Sequence, residues 1–351
     1  MTVIKDVRFG NIYLGEGAFL ARAKEFGEEK SILLTDENVF TAYGTFLKNA
    51  LPAAEFFVMK AGEEYKNFAV LESVLQKMAA LGLQRTSRLF AVGGGVVGDV
   101  GGLAAALYMR GITCVQVPTT LLAQVDSGVG GKTAVNFGGV KNLVGAFHQP
   151  SEVWVDPLFL GTLPQKEVLN GLGEIVKYSA IDGGVFDLLI GRVKEGKGLG
   201  EIGFLRGLIE RCVRYKLGVC KKDERDVGAR RALNVGHTTG HALESALKIS
   251  HGIAVALGLA IECLIAIEKG VCEQEYGKEL VALIKAAILE AGVSLSGEDV
   301  SWARLVKMDK KNGAAGRISL AVPVKKGVWG SLELGFEEYR FAVERAIGDV
   351  L

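Results

Sequence analysis

Histidine is scarce in this sequence, with four in 351 residues, and a charge bias is missing altogether. Lysine and arginine number 41 against 40 aspartates and glutamates, a net charge of +1. That balance excludes an extended basic face for nucleic acid or anionic lipid, so any cationic site must be a local cluster. No two of the five cysteines form a C-x-x-C pair. The N-terminal MTVIKDVRFG lacks the apolar core of a signal peptide. An odd cysteine count without a secretion signal predicts reduced core thiols and a cytoplasmic protein. The longest apolar stretch, GIAVALGLAIECLIAIEKG, is broken by Glu262 and is short for a membrane span, so it predicts a buried helix. What is present is a globular composition, 49% hydrophobic and 23% charged. The length exceeds what one core usually serves, which predicts two domains.

The first half alternates. SILLT (31–35), EFFVM (55–59), RLFAV (88–92), TCVQV (113–117) and EVWVD (152–156) read as buried strands. Phe68, Leu71, Leu75 and Met78 recur at helical spacing up to Gly82, and another helix is expected over about 97–110. Strands alternating with helices imply a mainly parallel, Rossmann-like sheet. Between Pro118 and Pro150 lies a stretch rich in Gly, Thr, Asn and Lys, expected to be a long functional loop of anion-binding character. After Thr162 the period changes. Pro164 suits a first helical turn, and Val168, Leu172, Ile175, Val176 and Ser179 continue one face. RISLAVPV (317–324) is the one strand-like interruption. The expected architecture is an α/β domain over 1–160 and a mainly α-helical domain over 161–351.

GGGVVG (93–98) fits G-x-G-x-x-G between a strand and a helix, where glycines let a backbone approach a pyrophosphate. The motif comes late in the chain, and no acid follows about twenty residues on. TDEN (35–38) and GEEYK (62–66) end other strands with carboxylates that could meet a ribose or simply cap helices. Glu174 and Lys177 lie one turn apart in GLGEIVKYSA, an otherwise apolar turn, so both charges are expected to point inward. A buried carboxylate needs a partner, and a metal is one. His237 and His241 stand at i,i+4 in HTTGH, and His251 opens the next helix. One Glu and two His make an open zinc site, and spacing alone does not say which histidine is left out. Lys132, Lys141, Lys177, Lys216 and Arg230, with Asn142 and Asn234, suggest a substrate with more than one anionic group.

The segments GGGVVGD, YMRGI, VPTTLLAQVDSGVGGKTAVNFGGVKNLVGAFHQP, TLPQKE, GLGEIVKY, KDERDVGARRALNVGHTTGH, HG-x-AVA-x-G and MDKKN resemble the 3-dehydroquinate synthases, a family of sugar-phosphate cyclases. The resemblance implies a lyase of the shikimate pathway, on the route to chorismate and the aromatic amino acids. It implies conversion of 3-deoxy-D-arabino-heptulosonate 7-phosphate into 3-dehydroquinate and phosphate, through NAD-mediated transient oxidation, phosphate elimination, re-reduction, ring opening and aldol closure. It assigns Zn2+, with Co2+ as a substitute, to Glu174, His237 and His251. It assigns NAD to Asp36, Glu63, Lys66, Gly94, Gly95, Val96, Asp99, Thr119, Thr120, Lys141 and Thr162. Asp126, Lys132, Asn142, Lys177, Lys216, Arg230, Asn234 and His241 would meet the substrate. Lys310 or Lys311 would join them, and Arg110 would reach the site of the partner in a homodimer. Thr239, Ile253 and Asp226 depart from residues common in the family. The alternatives are another sugar-phosphate cyclase, acting on sedoheptulose 7-phosphate or glucose 6-phosphate, and a metal- and NAD-dependent polyol dehydrogenase. A nucleotide-binding regulator with a dead site is the non-enzymatic alternative.

Overall fold

In the computed structural model, which describes residues 1–292 and 316–350, the chain falls into two compact units, Met1–Leu163 and Pro164–Leu351. The first is built on strands β1 (Thr2–Ile4), β2 (Asn11–Leu14), β3 (Ser31–Asp36), β4 (Ala54–Met59), β5 (Arg88–Gly93), β6 (Thr113–Pro118), β7 (Lys132–Phe137), β8 (Val140–Phe147) and β9 (Glu152–Val155). Seven of them form one sheet in the order β1-β2-β9-β6-β5-β3-β4. All its pairs are parallel except β1 with β2 at the edge. Ile32, Leu33 and Leu34 are all fully buried, because helices cover both faces and a strand buried on both sides needs an unbroken apolar run. Helices α1 (Ala18–Ala23) and α2 (Glu37–Ala50) bring Phe19, Ala23 and Leu47 onto Leu33, Phe90, Val115 and Trp154. Helices α3 (Phe68–Ala80) and α4 (Gly95–Leu107) bring Leu71, Val74, Val100 and Leu103 onto Ile32, Leu34, Leu89 and Cys114. From β3 the chain runs outward to β4 and then returns to β5 on the other side of β3. The strand order therefore reverses between β3 and β5.

The 118–150 stretch is not a loop. It holds a π-helical turn, Ala123–Ser127, and the antiparallel hairpin β7–β8. Gly138 and Gly139, both at positive φ (59° and 76°), make the two-residue connection, the backbone that matches the twist of paired strands. The helix expected over 97–110 starts earlier, at Gly95, and ends at Leu107. A 3₁₀ turn, Tyr108–Arg110, follows, with Met109 and Arg110 at φ 50° and 66°.

The second unit contains α5 (Gln165–Ile181), α6 (Gly183–Lys194), α7 (Ile202–Lys222), α8 (His237–Leu247), α9 (His251–Glu268), α10 (Gln274–Glu290), the hairpin β10 (Arg317–Lys325) with β11 (Val328–Gly335), and a last described helix, Phe336–Val350. β11 was not evident in the sequence, since glycines break its alternation. α9 is long and apolar enough to cross a membrane, but 78% of that window is buried within the fold, where it packs on α5, α8 and α10. It is a core helix. Glycine brings its backbone against its neighbours. A Cβ at Gly173 would lie 2.0 Å from Gly252 O, one at Gly252 1.8 Å from Asn170 O, and one at Gly258 2.2 Å from Gly236 O. All five cysteines are buried free thiols.

Gly252→Ala should lower the stability of the helical unit by about 1–3 kcal/mol, because backbone must move. Gly207→Ala on α7, where an added Cβ meets nothing within 4 Å, should raise it by about 0.5–1 kcal/mol. Thermal unfolding followed by circular dichroism reads both.

Candidate functional site

The apolar turn of α5 buries both its charges. Glu174 and Lys177 are each 1% exposed, and Lys177 Nζ lies 2.5 Å from Glu174 Oε2. They form a buried pair rather than a surface one. The other oxygen, Oε1, lies 3.2 Å from His251 Nε2 and 3.8 Å from His237 Nε2. His237 is the first residue of α8 and His251 the first of α9. His237 Nδ1 lies 3.2 Å from Val235 O, a carbonyl that can only accept. The Nδ1 is therefore the protonated nitrogen, and Nε2 carries the lone pair. His251 Nδ1 is held the same way by Glu244 Oε2 at 2.9 Å. Two imidazole Nε2 atoms and a carboxylate oxygen thus face one another, an arrangement that calls for positive charge between them, whether a proton on Nε2 or a metal ion. Burial pushes the His237 pKa down to about 3, against the pull of Glu174. Burial also opposes protonation of His251, but its hydrogen bonds to Glu174 and Glu244 prevail and raise its pKa to about 10. Without metal, a proton on His251 supplies the positive charge that an ion would otherwise bring. Donor atoms about 2.1 Å from a tetrahedral ion lie roughly 3.4 Å apart, so the observed spacings fit a divalent ion.

His241, one turn along α8, is brought into the same cluster: donor atoms of the three histidines lie within 4.8 Å of one another. It is the exposed member. Lys216 on α7 and Arg230 in a 3₁₀ turn, Ala229–Asn234, are buried cations. Arg230 is fixed by Asp223, which accepts its backbone N–H at 3.0 Å, and by Glu224 O, which accepts from Nη1 at 3.0 Å. Backbone donors hold the Asp223 carboxyl below the usual range. Asn234 ends that turn and is exposed. Among the family departures, the Thr239 hydroxyl is buried 3.0 Å from Tyr339 OH. Ile253 is 6% exposed, and Asp226 sits at φ 59°. Lys310 and Lys311 lie outside the described residues.

The first unit gathers its polar residues at strand C-termini. Gly94 is the N-cap of α4, and Gly95 and Val96 begin it, presenting first-turn N–H groups after β5. Asp36 ends β3 and caps α2, accepting from Asn38 N at 2.9 Å and Val39 N at 3.0 Å. The helix-cap reading of TDEN is thus realised. Burial raises the Asp36 carboxyl against those two bonds. Lys66 pairs with Asp99 and donates to Asn142 Oδ1 at 2.5 Å. Asn136 joins this group, donating to Glu63 Oε1 at 2.9 Å and accepting from Asn142 N at 2.9 Å. Thr119 N bonds Gly93 O, and Thr120 Oγ1 accepts from Ala123 N, starting the turn that carries Asp126. Thr162 bonds Tyr43 OH at 3.0 Å. Lys132 and Lys141 are exposed on the hairpin, and Arg110 on its 3₁₀ turn. Sequence reading missed Asn136 and Glu244. Glu244 stands seven residues after His237, two helical turns along one face, a spacing that signals it.

The family model for the N-terminal part of 3-dehydroquinate synthase matches residues 56–170, and that for the C-terminal part matches 171–312. The 3-dehydroquinate synthase of Alkaliphilus metalliredigens is 40% identical over 323 residues, covering 90% of each chain. The structure of 2-epi-5-epi-valiolone synthase from Streptomyces hygroscopicus, with NAD+ and Zn2+ bound, aligns at a TM-score of 0.83 and 26% identity over 99% of both chains. A 2-deoxy-scyllo-inosose synthase complexed with carbaglucose-6-phosphate, NAD+ and Co2+ shares the fold, with a TM-score of 0.86 and 22% identity over all of both chains. With both family models matched and this identity over nine-tenths of its length, the chain belongs to the 3-dehydroquinate synthase family.

Proposed function

We infer that the chain converts 3-deoxy-D-arabino-heptulosonate 7-phosphate into 3-dehydroquinate and phosphate, as a lyase using NAD and a divalent metal. One observation carries the reading: Glu174 Oε1 faces the Nε2 atoms of His251 and His237 at 3.2 and 3.8 Å. Those three residues would hold Zn2+ or Co2+, and Glu244 orients the His251 ring. When bound, NAD takes up and returns one hydride while the metal polarises substrate hydroxyls, so the net reaction carries no redox change. The first-turn amides of Gly95 and Val96 suit a pyrophosphate. Asp36 lies across the β3–β5 strand reversal from them, where open α/β sheets bind ligands. Glu63, Lys66, Asp99, Thr119, Thr120, Lys141 and Thr162 complete the proposed dinucleotide set. Lys177, Lys216 and Arg230 are buried cations, whose charge acts strongly on an anionic substrate and on a departing phosphate. Lys132, Asp126, Asn142, Asn234 and His241 are the proposed further substrate contacts. The units Met1–Leu163 and Pro164–Leu351, close to the expected 1–160 and 161–351, accordingly divide into a dinucleotide-binding and a metal- and substrate-binding domain. Buried free thiols suit a reducing cytoplasm.

The enzyme acts as a homodimer in which Arg110 enters the partner's site. Arg110 and Met109 hold strained positive φ values of 66° and 50°. Exposed Leu107, Met109, Phe137, Leu143 and Phe147 offer apolar surface to a second copy.

With the heptulosonate phosphate, phosphate should be released while absorbance at 340 nm stays flat. A polyol dehydrogenase would instead accumulate NADH, and another cyclase would release phosphate only from sedoheptulose 7-phosphate or glucose 6-phosphate. Glu174→Gln should lose its metal on dialysis, as elemental analysis would show; full retention would remove Glu174 from the ligand set. Mixing inactive Arg110→Ala and Glu174→Gln chains should restore about a quarter of wild-type sites, since half the dimers are hybrids with one intact site. No recovery in proven hybrids would place Arg110 outside the partner's site.

A further inference from the structure

Glu262 interrupts the most apolar of the described helices and is fully buried. A carboxylate in that position is costly unless its oxygens are satisfied. Both are. Oε2 accepts from Gly236 N at 2.8 Å and Oε1 from Thr239 N at 2.9 Å. These are the N-cap and third-residue N–H groups of α8, the helix that begins at His237. The third-residue N–H is normally met by the N-cap's own side chain, and the N-cap N–H by a Glu or Gln at the third residue. Here the N-cap is glycine at φ 77°, and a Cβ there would come within 2.7 Å of Val255 O. The close approach of α8 to α9 leaves no room for a local cap, so α9 supplies one in trans. The start of α9 is treated alike. Its N-cap Ser250 makes no side-chain cap bond. Gly252 N, next to His251, donates instead to Asn170 Oδ1 at 2.8 Å. Asn170 lies one turn before Glu174 on α5.

We propose that Glu262 and Asn170 are positioning residues of the metal centre, each tying the first turn of one histidine-bearing helix to another helix that carries a ligand. Asn170 fixes His251 relative to Glu174, and Glu262 fixes His237 relative to His251. Neither touches the ion or the reacting atoms. The inference rests on the Glu174, His237 and His251 ligand set proposed above.

The test reads metal binding without turnover. Metal-free protein is titrated with Co2+ against a competing chelator, with the visible spectrum reporting coordination geometry. Glu262→Gln keeps the side-chain shape but turns an amide NH2 toward one of the two backbone donors. It should weaken Co2+ binding about 10–100-fold, the usual effect of losing an outer-sphere partner, and alter band intensities while the circular dichroism stays helical. Asn170→Ala should act likewise through His251. Ile347→Val, a core change on the last helix, controls for lost stability and should leave Co2+ affinity unchanged. Wild-type affinity and spectrum in folded Glu262→Gln and Asn170→Ala would overturn the proposal. So would an equal loss in Ile347→Val. If Glu262→Gln does not fold, the half-buried Asn170 position decides. Failure of the wild-type protein to bind Co2+ would instead overturn the ligand set itself.

Discussion

A carboxylate with 1% exposure sets the terms for the helical unit. Removing such a charge from water costs several kcal/mol unless opposite charge and hydrogen bonds replace the solvent. Lys177 meets one oxygen of Glu174, and two imidazoles converge on the other. The three groups come from three helices, so their separation depends on how closely those helices pack. Each donor has a glycine as its neighbour in the chain: Gly173 before Glu174, Gly236 before His237, and Gly252 after His251. A Cβ at any of them would lie within 2.0, 2.7 and 1.8 Å of backbone oxygen in another helix. The donors converge because the backbone beside each one touches a neighbouring helix.

The α/β unit solves a different problem by different means. Its buried carboxylate, Asp156 just past β9, is satisfied by the backbone N–H groups of Phe19 and Leu158, both at 3.0 Å, and the other side chains at the polar edge hold one another. Asn136 joins Glu63 to Asn142, and Lys66 joins Asn142 to Asp99. This lattice links the hairpin β7–β8 to the segment after β4 and to the first turns of α4. A dinucleotide makes many weak contacts over a long molecule, so an edge of hydrogen-bonded polar groups suits it. An ion makes few strong contacts and needs rigid donors.

Much of this was legible in the sequence, where physics is local. The parallel strands appear as unbroken apolar runs, and the glycine turn after β5 as GGGVVG. Glu174 and Lys177 could be read as inward-facing because the surrounding turn is apolar. The hairpin hid behind its own composition: the Gly138–Gly139 turn was present, but the neighbouring Thr, Asn and Lys suggested a loop. Glu262 could be seen only as an interruption. Its bonds reach α8 across 26 residues, and the bond from Gly252 to Asn170 spans 82. Trans caps have no local pattern, because the residue that needs capping and the residue that supplies the cap are unrelated in sequence. Likewise, spacing left three histidines equivalent, and family resemblance alone separated His241 from the other two.

The geometry gives that separation a physical basis. A metal ligand must have its tautomer fixed and its lone pair aimed, and the Nδ1 atoms of His237 and His251 are engaged by Val235 O and Glu244 respectively. Glu244 and His237 lie on the same helix, so in the proposed ligand set α8 would both contribute one ligand and orient the other. His241 lies on that helix as well, but at its exposed side. A group meant to exchange a proton or meet a departing anion must be reachable, and His241 is the exposed one of the three, whereas the other two are half-buried with Nδ1 engaged. One rigid helix therefore holds a fixed donor and an accessible imidazole one turn apart. Under the proposed ligand set, the i,i+4 spacing of HTTGH would serve that division of labour rather than a two-histidine chelate.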